Sequence, residues 1–278
     1  MTYSSIATVI HDPEATNAHL DMAIALAEKY DAHLHVLVAG IDHTDPGFYY
    51  AGAQAVATHQ NLGVAQHDAD ALDKLARTKL AQQSIAWDVQ RLLIMLPGLS
   101  PFLADTMRFH DLVVMPSPYQ GSAAHIDEAI FEACLFRAGC PVMICPPKPL
   151  SLAFNNVMVA WDDSAQALAA AKAAMPAISD AGKATVIMID PPTEGPDRSD
   201  PGGQMASFIA HRGASVEILV QSRRLPNIAL QLLQTAHEGD NDLIVMGAYG
   251  HSRLRESILG GAPRAMLKQP DIPVLMAR

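Results

Sequence analysis

Residues 155–189 read NNVMVAWDDSAQALAAAKAAMPAISDAGKATVIMI, and residues 6–41 read IATVIHDPEATNAHLDMAIALAEKYDAHLHVLVAGI. Each stretch is a short apolar run, a turn that contains Asp, an Ala-rich segment with helical spacing and a second apolar run. Asp12 and Asp162 occupy the same place in the two stretches, 150 residues apart. This repetition predicts a tandem duplication of a strand–helix–strand unit.

The far ends of the two copies repeat as well. Residues 111–145 begin DLVVM and end GCPVMIC, and residues 242–276 begin DLIVM and end DIPVLM. A proline-rich segment at 146–149 separates the copies, and proline resists the interior of both helices and sheets. We therefore divide the chain into a first domain at residues 1–148 and a second at residues 149–278.

Short apolar runs predict five β-strands in each half. They lie at residues 5–10, 34–39, 86–94, 111–115, 141–145, 156–161, 184–189, 215–220, 242–246 and 273–276. The runs do not alternate with polar residues, as is typical of strands buried on both faces. Segments with helical spacing, such as 15–30 and 165–178, lie between them. This order predicts an α/β fold: two tandem three-layer domains, each with a mainly parallel five-stranded sheet.

Composition and charge exclude several classes of protein. Half of the 278 residues are apolar and 17% are charged, which is typical of a globular chain. The net charge is −10 and no large basic patch is present, so we expect no nucleic-acid partner. No apolar run approaches the ~18 residues of a membrane span, and no basic segment typical of a signal peptide opens the chain. These features predict a cytoplasmic protein without a membrane partner.

Cysteines and histidines give no metal template. Cys134, Cys140 and Cys145 form no C-x-x-C pair, so we expect buried thiols in a reducing compartment. Histidines cluster in and near the connection 42–82, at positions 35, 43, 59 and 67. Their spacings fit no metal-ligand pattern, and a surface helix and loop explain them better than a metal site.

Two strand ends in the second half carry residues suited to a ligand, which in open α/β sheets lies outside the carboxyl ends of the strands. The first is 160–164, where the carboxylate of Asp162 can accept hydrogen bonds from a ribose or hold a metal. Asp162, Asp163 and Ser164 are equally good helix caps, so both interpretations stay open at this point.

The second strand end is the glycine-rich stretch that follows Met246. Its glycines are Gly247, Gly250, Gly260 and Gly261. Without a Cβ, glycine lets backbone amides approach an anion closely. A helix beginning at Ala262-Pro263 would add free N–H groups, and three arginines at 253, 255 and 264 add positive charge. These parts indicate a phosphate cradle; the alternative is a mobile Gly-rich loop whose arginines face water.

The spacing Gly247-x2-Gly250-x9-Gly260 resembles that of nucleotide-binding members of the universal stress protein family. The flanking DLIVM and IPVLM strands and the Asp162 turn are also similar to that family, and the resemblance covers the whole chain as two tandem copies. It implies a Rossmann-like fold of the adenine nucleotide alpha hydrolase-like type.

The resemblance also implies a site for an adenine nucleotide, usually ATP, with or without Mg. Asp162 would meet the ribose or a metal-bound phosphate, and the backbone near Met188 would meet the adenine. The residues that would line ribose and phosphates are Met246, Gly247, Gly250, Gly260, Gly261 and Ala262. Gly261 stands where the family has Ser or Thr, so a hydroxyl donor to a terminal phosphate is missing.

The first half departs further from the family pattern. Pro116 and Tyr119 occupy the positions of Gly247 and Gly250. Proline has no N–H to offer a phosphate, and tyrosine brings bulk into the cradle. We therefore expect residues 1–148 to have lost the phosphate site and to pack against the second half as an internal pseudo-dimer.

These observations favour a cytoplasmic stress-response protein that binds an adenine nucleotide and acts as a regulator or sensor, as a single chain or as a homodimer. The alternative is a nucleotide-free interaction or adaptor module with the same fold. A third possibility, an adenylyl-transferring enzyme or an electron-transfer flavoprotein relative, lacks its signature residues here. No Walker lysine and no G-x-S-x-G elbow is present, so we expect at most a slow ATPase.

Overall fold

The computed structural model describes residues 2–44, 53–121, 123–147, 154–191, 200–248, 267 and 270–278, with 53–59 described by backbone alone. Every predicted strand is present, within three residues of its predicted bounds. The elements of the first half are β1 (Ser5–Ile10), α1 (Ala18–Tyr30), β2 (His33–Asp42), α2 (Ala53–Leu80), β3 (Trp87–Met95), α3 (Leu96–Thr106), β4 (Leu112–Pro116), α4 (Ala124–Glu132) and β5 (Val142–Cys145). A 3-10 turn (Met107–Phe109) follows α3, and a π-helical turn (Ala133–Ala138) extends α4.

The second half repeats this order of strands. Its elements are β6 (Asn156–Ala160), α5 (Ala165–Ala173), α6 (Met175–Asp180), β7 (Lys183–Ile189), α7 (Gly203–Ala210), β8 (Val216–Gln221), α8 (Ile228–Glu238), β9 (Leu243–Gly247) and β10 (Val274–Ala277). The helical spacing at 165–178 corresponds to two helices, α5 and α6, that meet at Ala174. Pro176 in the first turn of α6 lacks an N–H and cannot continue an α-helical ladder, which explains the break.

All ten strands form one sheet in the order β3-β2-β1-β4-β5-β10-β9-β6-β7-β8. Within each half every neighbouring pair is parallel. The two five-stranded sheets meet where β5 pairs antiparallel with β10, with Met143 opposite Leu275. An exposed strand edge presents unpaired N–H and C=O groups, and here each copy covers the edge of the other. The halves thus form a pseudo-dimer within one chain.

Helices cover both faces of this sheet, which confirms the three-layer prediction. One face carries α1, α2, α5, α6 and α7, and its buried core includes Leu20, Leu72 and Ala170. The other face carries α3, α4 and α8, with Leu99 and Leu232 in its core. Each core cluster contains residues of both halves, so apolar burial is continuous across the junction. No helix within the described ranges is long and apolar enough to cross a membrane.

Candidate functional site

Three strand ends of the second half meet at one edge of the sheet. β6 lies between β7 and β9, and Ala160 stands in register with Ile187 on one side and Met246 on the other. The chain reverses its order in the sheet between β6 and β9, which is where open α/β sheets bind ligands. Four of the predicted site residues come together there: Asp162, Met188, Met246 and Gly247.

Asp162 is exposed, and its carboxylate organises the first turn of α5. Its Oδ1 accepts hydrogen bonds from the backbone N–H of Ser164 at 3.2 Å and from the Ser164 hydroxyl at 2.5 Å. The Ser164 Oγ in turn accepts from the N–H of Ala167 at 3.1 Å and caps the helix. The cap is therefore Ser164, and Asp162 orients that cap while its other carboxylate oxygen forms no bond to the described residues.

Gly247 ends β9 directly against the start of α5. A Cβ at this position would lie 2.5 Å from the backbone nitrogen of Ala167 and 2.7 Å from the carbonyl carbon of Gln166. Both neighbours are backbone atoms that cannot rotate away, so only glycine fits. The glycine that the sequence assigned to a phosphate cradle thus has a packing reason that is independent of any ligand.

Met188 lies near the end of β7 and is buried. Gly202, with φ of +78°, places its α-carbon close to the Met188 sulfur: a Cβ there would lie 3.2 Å from Sδ. Asp190 follows β7 in a left-handed conformation and accepts a hydrogen bond from the N–H of Arg223 at 3.1 Å. Sequence reasoning missed Asp190 and Arg223 at this edge, although the position of Asp190 directly after a buried strand was a signal.

The remaining predicted residues of the glycine-rich stretch lie outside the described residues. They are Gly250, Gly260, Gly261 and Ala262, together with the arginines at 253, 255 and 264. Their role in a phosphate cradle stays a prediction.

The same edge of the first half holds a cavity of about 370 Å³. Pro116, at the end of β4, and His11, directly after β1, line it, as does Asp127 of α4. The Nε2 of His11 lies 2.8 Å from Oδ1 of Asp127, and both side chains are almost completely buried. The sequence predicted that this half has lost the phosphate site, and it gave no sign of this pair, because Asp127 is 116 residues away from His11 in the chain.

The cysteines are buried and free, as predicted. Burial raises the pKa of Cys140 and of Cys145 to about 12 and also raises that of Cys134, because a thiolate would lose its hydration. The thiols are therefore protonated near neutral pH, and a nucleophilic or redox role is not supported.

The histidines of the 35–67 region are dispersed. His35 bonds to Asp88 through Nδ1 at 2.8 Å, and the ring of His43 lies 6.3 Å from that of His125. His67 is exposed beside Asp68, while the side chain of His59 lies outside the described part. Among the residues that the structure describes, no group of His, Cys, Asp or Glu has the geometry of a metal site.

Comparison with known proteins shows which proteins this architecture is similar to. Residues 153–278 match the model of the Universal stress protein family. The whole chain is similar in structure to a universal stress protein from Archaeoglobus fulgidus DSM 4304, with a TM-score of 0.71, 18% identity and coverage of 98% of this chain and 96% of that one. A putative universal stress protein from Pseudomonas aeruginosa UCBPP-PA14 matches with a TM-score of 0.60, 14% identity and coverage of 98% and 92%. No curated protein matches in sequence.

Proposed function

Because residues 153–278 match the model of the Universal stress protein family, we propose that the second half binds one adenine nucleotide, ATP foremost, at the carboxyl ends of β6, β7 and β9. The chain would then act in the stress response as a regulator whose shape or partners depend on the nucleotide. The observation that carries this proposal is the convergence of Asp162, Met188 and Gly247 at the point where the strand order reverses.

The chemistry of this edge suits the two polar parts of a nucleotide. The free oxygen of Asp162 is exposed and can accept hydrogen bonds from ribose hydroxyls. The amino end of α5, a helix of nine residues, lies directly beside Gly247 and favours negative charge through its backbone dipole. A ribose at Asp162 would therefore bring its phosphates toward Gly247, and the predicted cradle of Gly250, Gly260, Gly261 and Ala262 follows Gly247 in the chain.

A magnesium ion fits the same donor set. Mg²⁺ prefers carboxylate oxygens and phosphate oxygens, and it binds through one or two carboxylates when a substrate supplies the rest. Asp162 offers an oxygen that no described residue uses. Asp162 would hold the ion, whose charge would offset that of the phosphates.

Binding rather than turnover is the function we infer. Positioned donors and a metal ion lower the barrier to hydrolysis only when a group also orients the attacking water. At the edge of β6, β7 and β9, Oδ1 of Asp162 already accepts from Ser164 and Oδ1 of Asp190 from the N–H of Arg223, and the edge carries no His, Lys or Arg side chain in the residues 160–164 and 187–190 that could act beside them. We expect turnover of ATP well below ~1 per second, the low end of common enzyme values.

The internal pairing of the two halves limits the surfaces through which two copies of the chain could form a homodimer. β5 and β10 already cover each other, so a second copy of the chain would need another surface. The two outer strands of the sheet, β3 and β8, are the edges that remain.

Isothermal titration calorimetry of the full chain with Mg-ATP tests the proposal. We expect one site per chain, weaker binding for Asp162→Asn, and loss of binding for Gly250→Val with an unchanged melting temperature. Asp12→Asn, at the matching turn of the first half, is the control and should bind as the wild type does. Two equivalent sites, or no heat at millimolar Mg-ATP, would contradict the proposal, and absence of nucleotide from freshly purified protein by mass spectrometry would then favour an adaptor module.

A further inference from the structure

The first half keeps a cavity at the edge where the second half has its proposed nucleotide site, but the walls differ in chemistry. We propose that this cavity binds a small organic cation, an amine or guanidinium compound without phosphate groups. The proposal concerns residues 1–148 and is independent of nucleotide binding by the second half.

The cavity has the size and place of a ligand site. Its volume of about 370 Å³ falls within the range of roughly 300–1,000 Å³ that is typical of small-molecule pockets. It lies where β1, β4 and β5 end, since His11, Pro116 and Cys145 all line it. β1 and β4 are neighbours at which the strand order of the first half reverses, as β6 and β9 are in the second.

His19 lines this cavity and has one ring nitrogen without a donor among the described residues. The side chain is 5% exposed, and its Nε2 lies 3.1 Å from the carbonyl oxygen of Val9. A carbonyl can only accept, so Nε2 carries the proton. Burial lowers the pKa of His19 to about 4, which keeps the ring neutral at physiological pH. Nδ1 is therefore unprotonated, and no described residue donates to it.

The buried pair of His11 and Asp127 adds acceptors of the same kind. With Nε2 of His11 donating to Oδ1 of Asp127 at 2.8 Å, Oδ2 of Asp127 is left without a donor among the described residues. Asn17, also in the wall, uses its side-chain N–H₂ group on the carbonyl of Ala15 at 3.1 Å, which leaves its Oδ1 open. Asn17 is 3% exposed and Asp127 7%, so these acceptors are held by packing.

The buried hydroxyl of the wall is already used. The hydroxyl of Ser117 donates to the carbonyl of Leu267, so it offers no hydrogen to a ligand in this arrangement. The open atoms of the buried His19 and Asp127 side chains are acceptors, whereas the donors of Thr16 and Gln120, which bond to no described residue, belong to less buried side chains. A ligand that satisfies the buried atoms must therefore bring N–H or O–H donors.

The charge of the lining residues narrows the class of ligand further. Three carboxylates line the cavity, those of Asp12, Glu14 and Asp127, and none of its described lining residues is Lys or Arg. The amino end of α1 lies at the same wall and favours an anion, but a helix dipole amounts to only about half a unit charge. Pro116 also lacks the N–H that a phosphate would need there. The net field therefore repels phosphates and attracts a cation.

Calorimetry with two matched probes tests this proposal. Putrescine (butane-1,4-diamine) carries two ammonium groups, and butane-1,4-diol has the same length without charge. We expect one putrescine per chain at pH 8 and low salt, with the diol at least ~10-fold weaker because it lacks the charge. Equal binding of the two probes, or no heat from putrescine at 10 mM (about the weakest binding of interest), would overturn the proposal.

Variants locate the site and separate it from general attraction to an acidic chain. Asp127→Asn keeps the size of the side chain and should weaken putrescine at least ~10-fold, because a hydrogen bond to a charged group is lost. Glu14 is exposed, so the variant Glu14→Gln should fold even if Asp127→Asn does not. It removes one negative charge from the cavity and should weaken putrescine binding a few-fold. Asp162→Asn is the matched control in the second half and should leave putrescine binding unchanged. Equal weakening by all three variants would assign the heat to nonspecific charge, and loss of ATP binding in Asp127→Asn would assign an anion to the cavity.

Discussion

The two halves share one strand order and one pattern of parallel pairing, yet they differ at almost every residue that follows a strand at the carboxyl edge. β1 is followed by His11 and Asp12, and β6 by Trp161 and Asp162. β4 ends in a proline, whereas β9 ends in a glycine that touches the backbone of α5. The apolar cores hold the fold in both copies, so the residues at the edge were free to diverge. The two halves therefore share the fold, whereas each proposed site depends on residues that only one half carries.

The largest effect that we expect comes from Gly247, where the difference between the halves is steric. Gly247→Ala places a Cβ 2.5 Å from the backbone nitrogen of Ala167, and α5 must move away from β9. We expect a loss of roughly 3 kcal/mol in the free energy of unfolding, at the upper end for overpacking. Urea unfolding measures it.

The matched control for this substitution is Gly63→Ala in α2. No atom lies within 4 Å of a Cβ at Gly63, so the change adds helix propensity without a clash. We expect a gain of up to about 1 kcal/mol. If Gly247→Ala were as stable as the wild type, the packing reason for that glycine would fail, and a ligand would be the reason that remains.

The second effect is a pH dependence of stability that comes from His19 in the first half. Its pKa is about 4 in the folded chain against 6.5 as the ordinary value, so below pH 6.5 the unfolded state binds more protons. Stability therefore falls as the pH falls from 7 toward 4, by roughly 2 kcal/mol at pH 5 from this residue. In His19→Gln this part of the pH dependence should disappear, and unfolding curves at pH 7 and pH 5 for the two proteins measure it. Identical pH dependence in both would mean that the ring is protonated in the folded state.

Most of the fold could be predicted from the sequence, because the signals are local and repeated. The apolar run at 156–161 and its counterpart at 5–10 each mark a strand by composition alone. The pairing of β5 with β10 could not be predicted in the same way. It depends on which strand lies at the edge of each sheet, and that is a property of the assembled topology.

The candidate sites were less predictable than the fold, for a physical reason at each residue. Asp162 was recognised by its place after a strand, but whether it or Ser164 caps α5 depends on atomic distances. The pair of His11 and Asp127 left no trace in the spacing, because separate elements bring the two side chains together. The role of Gly250 depends on residues outside the described part of the chain.

The third effect tests how firmly the halves are joined. The hydroxyl of Tyr3, in the first half, donates to the carbonyl oxygen of Ala173 in α5 at 2.8 Å, and the side chain is 3% exposed. Tyr3→Phe keeps the edge-on ring contact with Tyr30, whose centroid lies 5.1 Å away, and removes only this bond. We expect a loss of about 1 kcal/mol, because the half-buried carbonyl of Ala173 loses the Tyr3 hydroxyl as its partner. An unchanged melting temperature would show that this hydrogen bond adds nothing to the coupling that the apolar cores and the β5–β10 pairing provide.

The smallest effect concerns the first turns of the two corresponding helices, α1 and α5. Ser164 caps α5 through its hydroxyl, whereas Asn17 precedes α1 in a left-handed conformation, with φ of 50°, and makes no side-chain cap. Ser164→Ala should cost about 1 kcal/mol, since the N–H of Ala167 loses its acceptor. Asn17→Gly should cost less, because glycine adopts that conformation freely and the substitution removes no cap, only the hydrogen bond to the carbonyl of Ala15. Thermal unfolding of both variants measures the difference.

Ser164→Ala also frees Asp162 from the hydroxyl that holds its Oδ1. If Asp162 contacts the nucleotide, the affinity for Mg-ATP should change in this variant by more than the loss of stability alone explains. Unchanged affinity would leave Asp162 with the structural role of orienting the cap.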